Sequence, residues 1–128
     1  MNFLLDTHVY IWFESEIHKL SPRVLAICQD KSHTLYLSAA SVWEMQIKIQ
    51  AGKLVIPHLQ DKIANQLQLE QIQLLPIELA HIYTLNRLPV TEHRDPFDRL
   101  LVAQALYQGW PLLSHDAVIA QYSITAIW

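Results

Sequence analysis

Short apolar runs alternate along this chain with longer segments in which apolar residues recur at helical spacing. Phe3-Leu4-Leu5 halts at Asp6-Thr7 and suits a buried parallel strand with an acid at its carboxyl end. Residues 34–37 (TLYL) form a second strand of high β-propensity, residues 71–75 (QIQLL) a third and residues 111–114 (PLLS) a fourth. Residues 123–127 give a short last one. Between them the pattern predicts helices. Residues 7–13 follow the first strand, and Ser21-Pro22 is a cap-plus-N1 signal for a helix to about residue 29. Ser38 or Ser41 can cap a helix that stops near Gly52. Pro57 opens a helix through about residue 69, and Pro76 one through about residue 86. Residues 88–94 read as a loop, and a short helix follows Asp116 to about Tyr122. Strand and helix alternate throughout, which is the pattern of an α/β fold with a mainly parallel sheet and helices on both faces.

One helix stands out. Asp95 occupies an N-cap position, Pro96 the first helical position and Asp98 the third, and Gly109 ends the helix. From Phe97 to Leu106 only Asp98, Arg99 and Gln104 are polar, so this helix is mostly interior and Asp98 opens beside the core.

The alternation also places the acids. In an open α/β sheet, ligands bind at the carboxyl ends of the strands, and helices that precede or follow a strand begin at that end. Asp6 terminates the first strand, Glu44 lies in the helix after the second, Asp98 begins the helix before the fourth, and Asp116 follows the fourth. Four carboxylates from distant parts of the chain converge on one rim. Brought together they repel and raise one another's pKa, which a divalent cation relieves. Hard oxygen ligands suit Mg²⁺ or Mn²⁺, and such a site suits metal-assisted phosphodiester hydrolysis. Each acid also has a plainer reading. Asp6, Asp95, Asp98 and Asp116 can each cap a helix, and Glu44 with Lys48 is an i,i+4 pair in the favourable order. For Asp95 the cap is the better account. The joint convergence is what favours a site over four separate local roles.

The totals narrow the setting. The 128 residues suit one domain, spanning 1–128, with over half the residues hydrophobic and 16% charged. A net charge of −3 offers no global basic field for nucleic acid. Cys28 is the only cysteine, so an intramolecular disulfide is excluded and a reducing compartment is expected. No apolar run is long enough to span a membrane, and the N-terminus lacks a basic leader region, so the chain reads as a soluble cytoplasmic protein.

The segments LLDTHVYIW, SAASVWEMQIK, HRDPFDRLLVAQA and LLSHDAVIAQY, in that order, resemble the PIN domain. They are most similar to the VapC-type ribonuclease toxins of bacterial toxin–antitoxin pairs, in a branch that carries a DPFD arrangement. The resemblance covers nearly the whole chain. It implies a five-stranded parallel sheet, Mg²⁺ or Mn²⁺, endonucleolytic cleavage of RNA, a homodimer, and a cognate antitoxin that occludes the acidic pocket. Its four acidic positions fall on Asp6, Glu44, Asp98 and Asp116, and its hydroxyl near the metal on Ser114 or Thr7. The alternative is a non-catalytic PIN-type module that binds protein or RNA. A phosphatase of the haloacid dehalogenase type is excluded because His8 stands where its second aspartate belongs, and there is no P-loop.

Beyond the acids, Arg94 and Arg99 either bind a phosphate backbone or pair with the neighbouring acids, two readings of equal weight. His93 and His115 flank the expected pocket. The seven histidines show no zinc-protease spacing, and none is assigned a role.

Overall fold

A computed structural model describes residues 1–69, 71–90 and 95–128. Five parallel strands form one sheet: β1 (Asn2–Leu5), β2 (Thr34–Ser38), β3 (Gln73–Leu75), β4 (Leu112–Leu113) and β5 (Ala126–Ile127). Their order is β3-β2-β1-β4-β5, with Leu5 beside Leu37 on one flank and Leu113 on the other. The α/β class and all five expected strands are therefore present. The chain winds outward from β1 to β3, then returns to lay β4 on the opposite side of β1. The carboxyl ends of β1 and β4 thus flank the point where the winding reverses, the place at which such sheets open a crevice.

Among the described residues six α-helices accompany the sheet: α1 (Thr7–Ser15), α2 (Pro22–Gln29), α3 (Ala39–Gln50), α4 (Leu59–Gln68), α5 (Leu79–Thr84) and α6 (Pro96–Gln108). Side chains alternate across β1, and the core divides with them. Phe3 and Leu5 pack with Leu35, Leu37, Val9, Val24 and Ile63 on one face; Leu4 packs with Leu101, Val102, Leu112 and Ile119 on the other.

Local chemistry explains most of the helix ends. The Ser21 hydroxyl accepts from the Val24 N–H, with Pro22 at the first helical position. Of the two possible caps for α3, Ser38 is the one used, accepting from the Ala40 N–H. Gly109 ends α6 in the left-handed region at φ 69°. Two expected helix starts shift. Helix α4 begins at Leu59 rather than at Pro57, after His58 at φ 58°. Helix α5 begins at Leu79 rather than at Pro76, because a different interaction sets its start: the Glu78 N–H donates to His81 Nδ1. The Pro76 carbonyl is instead held by the side-chain amide of Gln104. The helix expected after Asp116 is a single 3₁₀ turn, Ile119–Gln121.

Gln104 sits fully buried in the apolar run of α6 and is the hub of a polar network. Its Oε1 accepts from the Ser38 hydroxyl at 2.5 Å, and its Nε2 lies 3.3 Å from His81 Nδ1. His81 is itself buried. Its ring fills the gap between α5 and α6, with Nε2 3.3 Å from Gln108 Oε1.

Candidate active site

At the carboxyl rim of the sheet lies a cavity of about 230 Å³, lined by Asp6, Thr7, His8, Ile11, Glu44, Lys48, Asp95, Asp98 and Asp116. The four acids expected to converge all reach it, from four separate segments. Five carboxylates face one ammonium, so the lining carries a strong excess of negative charge.

Asp6 leaves β1 and caps α1. It is only 2% exposed, and its Oδ1 accepts from the Thr7 N–H at 2.8 Å. Its Oδ2 accepts from the Ser114 hydroxyl at 2.6 Å, across the reversal point between β1 and β4. Burial pushes the Asp6 carboxyl above its ordinary pKa; His8 and the two hydrogen bonds pull the other way, and the Glu44 charge adds to the rise. His8 Nδ1 stands 3.4 Å from Asp6 Oδ2, and burial pushes its imidazole below the ordinary value despite the nearby acids. Ser114 also accepts from the Asp116 N–H at 3.1 Å, so one hydroxyl ties together the segments that carry Asp6 and Asp116. Asp116 accepts from the Val118 N–H at 2.8 Å and holds the turn that follows.

Glu44 arrives on the second turn of α3. Thr7 Oγ1 donates to Ser41 Oγ at 2.9 Å, which pins α3 against α1. Glu44 is only 8% exposed, and Lys48 Nζ meets its Oε2 at 3.0 Å. The i,i+4 pair and the cavity position therefore coexist. Its Oε1 is buried without a hydrogen-bond partner among the described residues, a costly state for a carboxylate oxygen. Asp98 lines the cavity half-buried from the first turn of α6. Asp95 serves as the cap of that helix, accepting from the Phe97 and Asp98 N–H groups, as its sequence position predicts.

Arg99 and Ser114 are not among the described residues that line the cavity. Arg99 donates from its guanidinium to the Pro89 carbonyl and the Tyr122 hydroxyl, both at 3.1 Å. Ser114 spends its hydroxyl on Asp6 and is not among the residues lining the cavity. Arg94 and His93 lie outside the described residues. His115 is exposed beside the site. His8 lines the cavity although the sequence gave it no part in the acidic site, while Lys48 enters as the i,i+4 partner of Glu44. For His8 the only signal was its place two residues beyond Asp6.

The donor set fits a hard divalent cation: carboxylate oxygens, one of them buried and unpartnered, around a hollow of excess negative charge. Among the described residues no three His, Cys, Asp or Glu side chains are grouped tightly enough to hold an ion directly. Mg²⁺ retains several waters and needs only one or two direct carboxylates, so acids spread around a hollow are compatible with it.

The PIN domain model matches residues 3–124. The chain belongs to the PIN domain family. This PIN domain is 33% identical over 120 residues to Ribonuclease VapC22 of Mycobacterium tuberculosis (strain ATCC 25618 / H37Rv), an alignment covering 88% of this chain and 85% of the relative. Among solved structures it is similar to VapBC2 from Rickettsia felis bound to a promoter DNA fragment, with a TM-score of 0.71, 13% identity, and 100% and 99% of the two chains covered. It is also similar to DNA-bound VapBC from Salmonella typhimurium, with a TM-score of 0.67, 13% identity, and 99% and 97% covered. At such identities the structural likeness speaks for the PIN fold alone. Among the described residues no helix is long and apolar enough to cross a membrane.

Proposed function

We propose that this PIN domain, taken as one unit over residues 1–128, is a metal-dependent endoribonuclease that hydrolyses RNA phosphodiester bonds. We read it as the toxin of a VapBC-type toxin–antitoxin pair, acting in the cytoplasm as a homodimer restrained by a cognate antitoxin. The observation that carries the reading is the hollow lined by Asp6, Glu44, Asp98 and Asp116, with Glu44 Oε1 buried and unpartnered. The relative named a ribonuclease and the VapBC neighbours support the same direction.

In this reading Asp6, Asp98, Asp116 and Glu44 hold Mg²⁺ or Mn²⁺. Bound there, the ion supplies a Lewis acid for a phosphoryl oxygen and lowers the pKa of water. The chain's own residues supply the rest. Thr7 and Ser114 fix the Asp6 carboxylate by hydrogen bonds to both oxygens. Lys48 balances part of the Glu44 charge and leaves its second oxygen for a ligand. The Asp95 cap and Pro96 hold the first turn of α6, and so the backbone that carries Asp98.

The second reading is a non-catalytic PIN-type module, favoured by the absence among the described residues of a ready three-residue chelate. The two separate in one assay. The nuclease reading expects single-stranded RNA cleavage that needs Mg²⁺ or Mn²⁺, stops with chelator, and falls by two orders of magnitude or more in Asp98→Asn while circular dichroism is unchanged. Cleavage that survives both chelator and Asp98→Asn refutes it.

A further inference from the structure

Beside the acids, one side chain bridges two segments. The His115 N–H donates to His8 Nε2 at 3.1 Å, across 107 positions of sequence. That nitrogen must therefore be the unprotonated, accepting one, and in a neutral ring the proton resides on Nδ1. Nδ1 is the atom that stands 3.4 Å from Asp6 Oδ2. The ring is walled by Trp12 at 4.8 Å, edge to face, and by Trp128 at 6.5 Å, so its plane is held from the sides. His8 is the first-turn residue of α1 that reaches both the acid capping that helix and the loop carrying Asp116. Ser114 makes the companion link, through Asp6 Oδ2 and the Asp116 N–H.

We propose that His8 is a positioning residue whose Nε2, by accepting from the His115 N–H, clasps the segment 115–116 to the start of α1 and so sets the spacing between Asp6 and Asp116. The clasp deepens the metal-site reading of the same hollow and rests on it for its consequence, the affinity for a divalent ion. The tautomer itself does not depend on that reading.

Two measurements test it. Long-range ¹H–¹⁵N spectra of the wild-type chain in chelator at pH 8 should show His8 with a pyrrole-type Nδ1 and a pyridine-type Nε2. The opposite tautomer overturns the proposal whatever the protein binds. Calorimetric titration of Mn²⁺ should then show His8→Ala weakened about 10–100-fold, the range usual when a partner that orients a metal ligand is lost. His8→Gln places an amide oxygen where Nε2 stood and should recover most of that loss. Equal affinity in wild type and His8→Ala refutes the clasp, as does an equal loss in His8→Ala and His8→Gln. A wild type that binds no Mn²⁺ refutes the metal reading instead, and the spectra alone then decide the clasp. Should His8→Ala fail to fold, the spectra and the His8→Gln titration still decide.

Discussion

The hydrogen bond from Ser114 to Asp6 can be weighed directly. Both groups are buried, and the contact is 2.6 Å long to a carboxylate, the geometry of a charge-assisted bond. Ser114→Ala removes it and leaves Asp6 Oδ2, among the described residues, with the long contact to His8. A hydrogen bond to an ionised group is worth about 1.5–3 kcal/mol, and Asn at position 6 reduces it to a neutral bond worth about 0.5–1.5 kcal/mol. At pH 8 in chelator, Ser114→Ala should therefore cost about 1.5–3 kcal/mol in the wild-type background and about 1 kcal/mol less in Asp6→Asn. Urea unfolding followed by circular dichroism reads this as a midpoint shift of roughly 1 M, with an unchanged slope of about 2 kcal/mol per molar. The four chains of the cycle give the coupling directly. If Ser114→Ala costs the same with Asp and with Asn at position 6, the bond is not charge-assisted and the account of how Asp6 tolerates burial fails.

Further outcomes follow from the same geometry. Burial raises the Asp6 pKa, so between the unfolded value of 3.8 and the raised folded value the native state holds more protons and loses stability as pH rises. The advantage of Asp6→Asn over wild type in chelator should accordingly grow as pH increases from about 4 and then level off; an advantage that shrinks refutes the sign. Gln104→Leu should cost about 1–3 kcal/mol in thermal unfolding, by leaving the proton of the buried Ser38 hydroxyl and the Pro76 carbonyl without their partner. Burial pushes the Cys28 thiol up to about 11, so iodoacetamide at pH 8 should label it far more slowly than it labels glutathione.

The strand count, the parallel class and the meeting of the four acids were legible because they depend on local period and on the geometry of alternating elements. The caps Ser21-Pro22 and Asp95-Pro96 and the stop at Gly109 were legible for the same local reason. Pro57 and Pro76 misled because a proline permits a helix start without compelling one, and α5 takes its start from the His81 ring instead. Arg99 reaches the Pro89 carbonyl and the Tyr122 hydroxyl, and Ser114 reaches Asp6 from 108 positions away, partners set by tertiary packing that local sequence does not show. His8 was beyond reach because its meaning lies in a backbone N–H 107 residues away.

The return of the chain to the far side of β1 has an implication for synthesis. On the ribosome, the half of the sheet built from β1, β2 and β3 can pair as soon as residue 75 has emerged. Of the two donors that steady Asp6, Thr7 is its neighbour in the chain but Ser114 is made late, and Asp116 comes two residues after it. A growing polypeptide therefore carries a sheet long before it carries a finished acidic hollow. Whatever chemistry that hollow performs is withheld from the translating cell until the β4 segment docks.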